Sequence, residues 1–301
     1  MLLLTGASGY LGRQLADLLS RKGYELKLLS RNRIKTKKAD VFIGDITKPG
    51  TLKGLGKDVD TVIHLAGLIS YTHSLKTLML VNHEGTRNVL DACGDCERII
   101  FSSSVAVYAS LDDRHPIDER YPAKPDDFYG MSKLAAEREV ANFGVADTIL
   151  RIAPVYGIGA PFMIKIIELL RKRQPVPNID RYTHLVGVHN VLQAIDLVLK
   201  KKATGIYNVA DQNPIKFLEL ARTFAKCLNT NLRTMNPWVL GFLSLLSGNS
   251  GLYDAFVKKR NYDISKAKKD LGFKPKENVL GEIKKIVNAY RKDSTLREGY
   301  Q

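Results

Sequence analysis

The stretch that most limits how this chain can fold is Thr5-Gly6-Ala7-Ser8-Gly9-Tyr10-Leu11-Gly12. The apolar run Met1–Leu4 comes just before it, and Leu11, Leu15, Leu18 and Leu19 follow at helical spacing. Strand, glycine turn and helix therefore succeed one another without a break. Gly6 permits a tight turn, Gly9 lets the backbone approach a pyrophosphate, and Gly12 lets the helix pack on its strand. Free N–H groups and the positive end of the helix dipole then face the phosphates. A glycine triplet alone is weak support for a phosphate site, but this one has the strand and the helix that such a site demands. Gly6, Ser8, Gly9, Tyr10, Leu11 and Gly12 are the expected cradle.

Downstream, strands and helices alternate. Gly23 stops the first helix as a C′ glycine does. Strands are expected at Glu25–Ser30, Ala39–Ile43, Thr61–Leu65, Arg98–Ser102 and Thr148–Arg151, with helices over 76–92 and 130–143. This order predicts an α/β chain with a doubly wound parallel sheet, a Rossmann sheet, covered on both faces. After Arg151 the texture changes, and Pro154, Pro161, Pro175 and Pro177 punctuate the chain. Helices are expected at 162–172, 189–200, 214–228 and 279–292, with a strand at 205–209. The simplest layout is a dinucleotide-binding domain over 1–153 and a smaller mixed substrate lobe over 154–301, with some of its segments returning to the main sheet.

The chain has 301 residues, 45% of them hydrophobic, and a formal net charge of +15. That charge suits an anionic ligand, yet the basic residues are scattered and form no aromatic-interleaved nucleic-acid motif, so no nucleic acid is expected. No apolar run reaches the roughly 18–20 residues of a spanning helix, and no signal segment is visible, so a cytoplasmic protein is expected. Cys93-Gly94-Asp95-Cys96 closes a helix instead of opening one, and a second ligand pair for zinc is missing. These cysteines are expected to be ordinary loop residues, and no metal site is expected.

Two further patterns carry chemistry. Tyr129 and Lys133 lie four apart, on one face of a helix. A tyrosine hydroxyl titrates near 10, too high for a base at neutral pH, and a nearby ammonium lowers that value. Ser102-Ser103-Ser104 closes a strand at the carboxyl edge of the expected sheet, where open α/β sheets bind ligands.

With these residues in this order, the chain resembles the extended short-chain dehydrogenase/reductases, or NAD-dependent epimerase/dehydratase family, over nearly its whole length. The stretches that carry the resemblance are 5–12, GDI at 44–46, HLAG at 64–67, VNHEGTRNVL at 81–90, FSSSVAVY at 101–108, YGMSK at 129–133, LRIAPVYG at 150–157, YNVAD at 207–211 and YDISKAKKDLGFKP at 262–275. The resemblance implies Tyr129 as acid/base, Lys133 as its activator and ribose ligand, and Ser104 as substrate holder. It also implies Asp45 at the adenine with Ile46 beside it, Leu65 and Ala66 along the adenosine, Asn82 beside the cofactor, and Pro154 and Val155 at the nicotinamide. Two departures matter. Epimerases of the family commonly carry Asn where Pro154 stands, and the dehydratases carry Asp-Glu where Val105-Ala106 stand.

Both departures favour a dehydrogenase or ketone reductase acting on a small, lipophilic or anionic molecule. A nucleotide-sugar epimerase and a non-catalytic cofactor-binding assembly protein are the alternatives. Ser30 and Arg31 stand where sites preferring NAD carry an acid, so NADP is the expected cofactor, with NAD the other candidate. The apolar segment 236–252 is too short to span a bilayer and is expected to pack as core, roof the pocket, or touch a membrane surface or a partner subunit. A homodimer is the expected assembly.

Overall fold

A computed structural model describes residues 1–34, 36, 39–70, 72–108, 116–239, 241 and 261–293. Its elements, in chain order, are β1 (Leu2–Thr5), α1 (Tyr10–Arg21), β2 (Leu26–Ser30), β3 (Asp40–Ile43), β4 (Thr61–His64), α2 (Leu75–Leu78), α3 (Gly85–Ala92), β5 (Arg98–Ser104), α4 (Phe128–Asn142) and β6 (Ala146–Ile152). There follow β7 (Val155–Tyr156), α5 (Pro161–Arg171), β8 (Val176–Pro177), β9 (Tyr182–Thr183), β10 (Val186–Gly187), α6 (Val188–Lys201), β11 (Gly205–Val209), β12 (Ile215–Lys216), α7 (Phe217–Leu228), β13 (Thr234–Met235) and α8 (Val279–Lys292).

Seven strands form one sheet in the order β11-β6-β5-β4-β1-β2-β3. β1 pairs in parallel with β2 on one side and β4 on the other, so Leu4 lies between Leu28 and Ile63. The chain builds outward from β1 in both directions. The order therefore reverses between β1 and β4, and the crevice at such a switch point, beyond the carboxyl ends of the strands, is where open α/β sheets hold ligands. The glycine turn follows β1 and the loop Leu65–Ser70 follows β4, so both lie at that point.

The chain divides into two compact units, Met1–Ala109 with Arg120–Arg151 and Leu192–Tyr207, and Ser110–Glu119 with Ile152–Val191 and Asn208–Gln301. The first includes most of α6 and β11, because β11 is an edge strand of the main sheet beside β6. Its core is built from Leu3, Val62, Ile99 and Phe101 of the strands, with Leu52, Leu55, Val89, Leu90, Ala136 and Val140 packed against them. Burying each of these leucine, valine, isoleucine and phenylalanine side chains contributes roughly 1.5–3 kcal/mol. Cys93 and Cys96 belong to this core, which corrects the expectation of ordinary loop cysteines. Burial pushes the Cys93 thiol up to about 12, aided by Cys96, so it is unreactive.

In the second unit α5, α7 and α8 pack together, with Leu220, Phe224, Ile283 and Val287 buried. Three two-stranded pairs, β7 with β10, β9 with β12 and β8 with β13, also belong to this unit. The buried Asp211 carboxylate accepts from the Tyr156 hydroxyl (2.6 Å), the Gly187 N–H (2.9 Å) and the Asn190 amide (2.7 Å). Of the segment 236–252, residue 240 and residues 242–252 lie outside the described residues. Trp238 and Val239 are exposed. No described helix is long and apolar enough to cross a membrane.

The run expected as one regular helix over 76–92 is helical throughout, but Met79–Glu84 is wound as a π segment between α2 and α3. Such wide turns cluster at functional sites, and this one carries Asn82.

Candidate active site

The site is assembled by backbone contact. A Cβ placed on Gly130 would lie 2.1 Å from the Ala106 carbonyl oxygen, so only glycine lets the first turn of α4 meet the short 3-10 turn Val105–Val107 that follows Ser104. Asp127 caps α4, its carboxylate accepting from the Gly130 N–H at 2.7 Å, where a negative charge also suits the helix dipole. Tyr129 is buried against Leu78 and Ala106. Ser104 accepts from the Ala106 N–H at 3.1 Å, so its hydroxyl keeps a proton to donate. These contacts gather β5, α2 and α4 around the serine and the tyrosine.

Lys133 lies one turn beyond Tyr129, and the two residues share a face of α4. Its ammonium is buried and stands 4.1 Å over the centre of the Phe101 ring. Burial pushes it down to about 7, while Glu137 pulls the other way. A Cβ on Gly67 would lie 4.0 Å from this Nζ, so the loop after β4 reaches the lysine.

Asn82 is fully buried and committed to protein partners. Its oxygen accepts from the Leu68 N–H (2.7 Å), and its amide donates to the Leu68 carbonyl (3.0 Å) and the Ser132 hydroxyl (2.9 Å). Ser132 donates in turn to the Tyr129 carbonyl at 2.8 Å. Asn82 thus fastens the loop after β4 to the turn of α4 that bears the tyrosine.

Around the glycine turn, Gly6 has φ +68° and a Cβ on Gly12 would lie 2.1 Å from the Gly6 carbonyl oxygen, so the helix start seats directly on the turn. Ser8 and Gly9 are exposed, and Tyr10 and Leu11 are half-buried. The first turn of α1 has no side-chain cap and no acidic residue, so the positive end of its dipole suits an anion. Asp45 accepts from the Thr47 N–H (2.9 Å) and hydroxyl (2.8 Å), and these bonds, with the field of Arg31, hold its carboxyl below the usual range. Arg31 is exposed just after β2. Ile46 is buried in the core against Gly85, so only its backbone faces outward from the core. Leu65 and Ala66 are half-buried, and the Ala66 N–H donates to Thr5 Oγ1 at 3.1 Å. Pro154 and Val155 lie in the second unit, where Val155 pairs with Val186.

Sequence reading missed His64, Ser103, Ser132, Glu137 and Arg151. Ser132 and Glu137 had a faint signal, since they sit three residues after Tyr129 and four after Lys133. The others are joined to the site only through the sheet. Among the described residues no cluster of three metal-ligating side chains occurs.

The profile of the NAD dependent epimerase/dehydratase family matches residues 2–210. N-acetyl-alpha-D-glucosaminyl-diphospho-ditrans,octacis-undecaprenol 4-epimerase of Escherichia coli O157:H7 is 31% identical over 256 residues, covering 80% of this chain and 76% of that one. The decarboxylating sterol-4-alpha-carboxylate 3-dehydrogenase of Bos taurus is 25% identical over 329 residues, covering 95% and 91%. The solved structure of MoeE5 with UDP-glucuronic acid and NAD has the same fold, with a TM-score of 0.81 at 22% identity over 97% of this chain and 99% of that one. The match over residues 2–210 and the relative at 31% identity make this chain a member of the NAD dependent epimerase/dehydratase family.

Proposed function

We propose that the protein is a nicotinamide-dependent oxidoreductase acting at a secondary alcohol or ketone, with Ser104, Tyr129 and Lys133 handling the substrate oxygen and its proton. The observation that carries this reading is the buried Lys133 ammonium one turn from Tyr129, on a helix whose start is locked to the turn after Ser104. The uncapped start of α1 fits the pyrophosphate of a dinucleotide, and the glycine turn, Asp45, Leu65 and Ala66 would hold its adenosine half. When bound, that cofactor supplies hydride exchange with the carbinol carbon. The Ser104 hydroxyl donates to the substrate oxygen. Tyr129 Oη gives or takes its proton, and Lys133 favours the phenolate electrostatically. Burial strengthens this last effect, because the ammonium acts through a medium far less polarisable than water.

The cofactor preference we propose is NADP(H). β2 ends at the buried Ser30, with no acid to repel a 2′-phosphate, and the Arg31 guanidinium follows. The solved structures of MoeE5 and of Bordetella bronchiseptica WbmG hold NAD. Arg31→Ala is expected to weaken NADPH about 10-fold or more, the worth of one charge-assisted bond, and to leave NADH unchanged. Tighter NADH binding that ignores Arg31→Ala refutes the preference.

A second reading, epimerase, is favoured by relatives such as the undecaprenol-linked sugar epimerase and the UDP-glucose 4-epimerase of Vibrio cholerae. Pro154 weighs against it, standing where the resemblance places a substrate-holding Asn. The purified protein separates the two. An epimerase keeps its cofactor through gel filtration and turns over with no net change in nicotinamide absorbance, whereas a dehydrogenase changes that absorbance with each turnover. Relatives acting on an undecaprenol-linked sugar and on sterols support a lipophilic substrate. A homodimer completes the proposal, supported by the exposed apolar side chains of Leu80, Phe128 and Met131 around α2 and α4. Light scattering that returns the mass of one chain refutes it.

A further inference from the structure

Buried charge collects beneath the helix that bears Tyr129 and Lys133. Glu137, one turn beyond Lys133, accepts two bonds from Arg151 of β6: Nε to Oε1 at 3.1 Å and Nη2 to Oε2 at 2.7 Å. The Ser103 hydroxyl, from β5, donates to the same Oε1 at 2.5 Å. Arg151 also donates to the Tyr108 hydroxyl at 2.9 Å and lies over its ring, just past the turn that Ser104 caps. Both members of the ion pair are only 5% exposed at the side chain. Removing two charges from water costs several kcal/mol for each, and well-packed apolar residues often serve stability as well or better. Stability alone therefore does not account for the pair.

We propose that Glu137 is a positioning residue for Lys133: its carboxylate, clamped by Arg151 and Ser103, is the counter-ion that keeps the Lys133 ammonium charged on the face it shares with Tyr129. This rests on Lys133 belonging to the site. Among the described residues the surroundings of the lysine offer no substitute. On α4, Tyr129 and Glu137 lie four residues to either side of it; the Phe101 ring of β5 is 4.1 Å from its Nζ, and a Cβ on Gly67 of the β4 loop would lie 4.0 Å from Nζ and 3.0 Å from Asn82 Oδ1. His64 at the end of β4 feels the lysine's charge and is itself neutral, burial pushing it down to about 3. Glu137 is the negative charge acting on Lys133 among the described residues. Arg151 binds the same carboxylate through both oxygens and so moderates its charge.

The two partners therefore have opposite effects on the lysine. Glu137→Gln removes the attraction and leaves Arg151 uncompensated, so the midpoint of Lys133 falls. Arg151→Met exposes Lys133 to the undiluted carboxylate, so its midpoint rises. The test is a pH titration, followed by NMR, of the intact protein labelled with carbon-13 at lysine Cε. The Lys133 signal is the one absent from Lys133→Met. We expect shifts of about one pH unit or more, downward for Glu137→Gln and upward for Arg151→Met. If either single variant fails to fold, the double variant Glu137→Gln/Arg151→Met lacks both charges and still reports, with a midpoint below that of the parent. An unmoved midpoint in Glu137→Gln or in the double variant, or single variants shifting the same way, overturns the proposal. The readout needs no substrate or cofactor, so its failure is separate from failure of the proposed activity.

Discussion

Among the described residues each compact unit buries one neutral histidine, and the two are wired differently. In the first, His64 lies between two hydroxyls, with Nδ1 at 2.7 Å from Thr5 Oγ1 and Nε2 at 3.0 Å from Thr86 Oγ1. The Thr86 proton is engaged with the Asn82 carbonyl at 2.6 Å, so Nε2 must carry the imidazole hydrogen and Thr5 must donate to Nδ1. One directed chain then runs from the Ala66 N–H through Thr5, His64 and Thr86 to Asn82. In the second unit, His184 accepts at Nδ1 from the Tyr262 N–H at 3.0 Å and donates from Nε2 to the Asp211 carbonyl at 2.9 Å. The tautomer is the same, and both rings stack on an aromatic neighbour, Phe101 and Tyr262 respectively. Yet His64 connects loops at the switch point through rotatable hydroxyls, whereas His184 ties backbone to backbone. The same buried side chain orients a candidate site in one place and closes a scaffold in the other.

The strongest way to break this contrast is at Tyr129, the proposed proton carrier, whose carbonyl is tied through Ser132 to Asn82 at the end of the first network. Tyr129→Phe is expected to lower turnover about 100-fold or more while cofactor affinity and melting temperature hold, because in the proposed reaction the hydroxyl carries the proton while the ring packs against Leu78 and Ala106. Retention of more than about a tenth of the rate contradicts the role. Next in size, His184→Phe strands the Tyr262 N–H and the Asp211 carbonyl. Urea unfolding should register a loss of about 2–4 kcal/mol, with NADPH affinity unchanged. His64→Phe should cost a similar amount and also weaken NADPH about fivefold, the worth of one neutral hydrogen bond aligning the loops. Equal effects of the two variants on NADPH would erase the distinction.

Smallest for each unit of pH is an effect the two histidines share. In the unfolded chain each ring binds a proton below about 6.5. In the folded protein burial delays this to about 3 for His64, with help from the Lys133 charge, and to about 4 for His184. Between those values the unfolded state holds more protons, so stability falls as pH falls, by about 1.4 kcal/mol per pH unit for each ring. Urea midpoints measured from neutral pH downward should show this slope, and His64→Asn or His184→Asn should each remove one proton's share of it.

Much of the molecule is legible in the one-dimensional pattern, because short-range rules write it. The strand at Leu2–Thr5, the turn at Gly6 and the helix from Tyr10 follow from apolar spacing and glycine chemistry within a dozen residues. Gly23 ends α1 with φ +81°, as its place in the sequence predicts. Tyr129 and Lys133 share a helix face because they are four apart, whatever surrounds them. The strand at 205–209 and the helix at 279–292 are likewise local readings that the structure bears out.

Other features depend on which segments become neighbours, and only the tertiary structure decided those. Asn82 reads in sequence as a residue beside the cofactor, and its bonded partners, Leu68 of the loop after β4 and Ser132 of α4, are set by the fold. Cys93 and Cys96 read as loop residues, but the sheet closes over them. Glu137 and Arg151 look like ordinary charges of a helix and a strand until α4 is laid against β6, which makes them a buried pair. Sequence spacing determines which side chains share an element's face. The partner that each buried charge meets is determined by strand order and by backbone contacts such as Gly130 on Ala106, which no local pattern encodes.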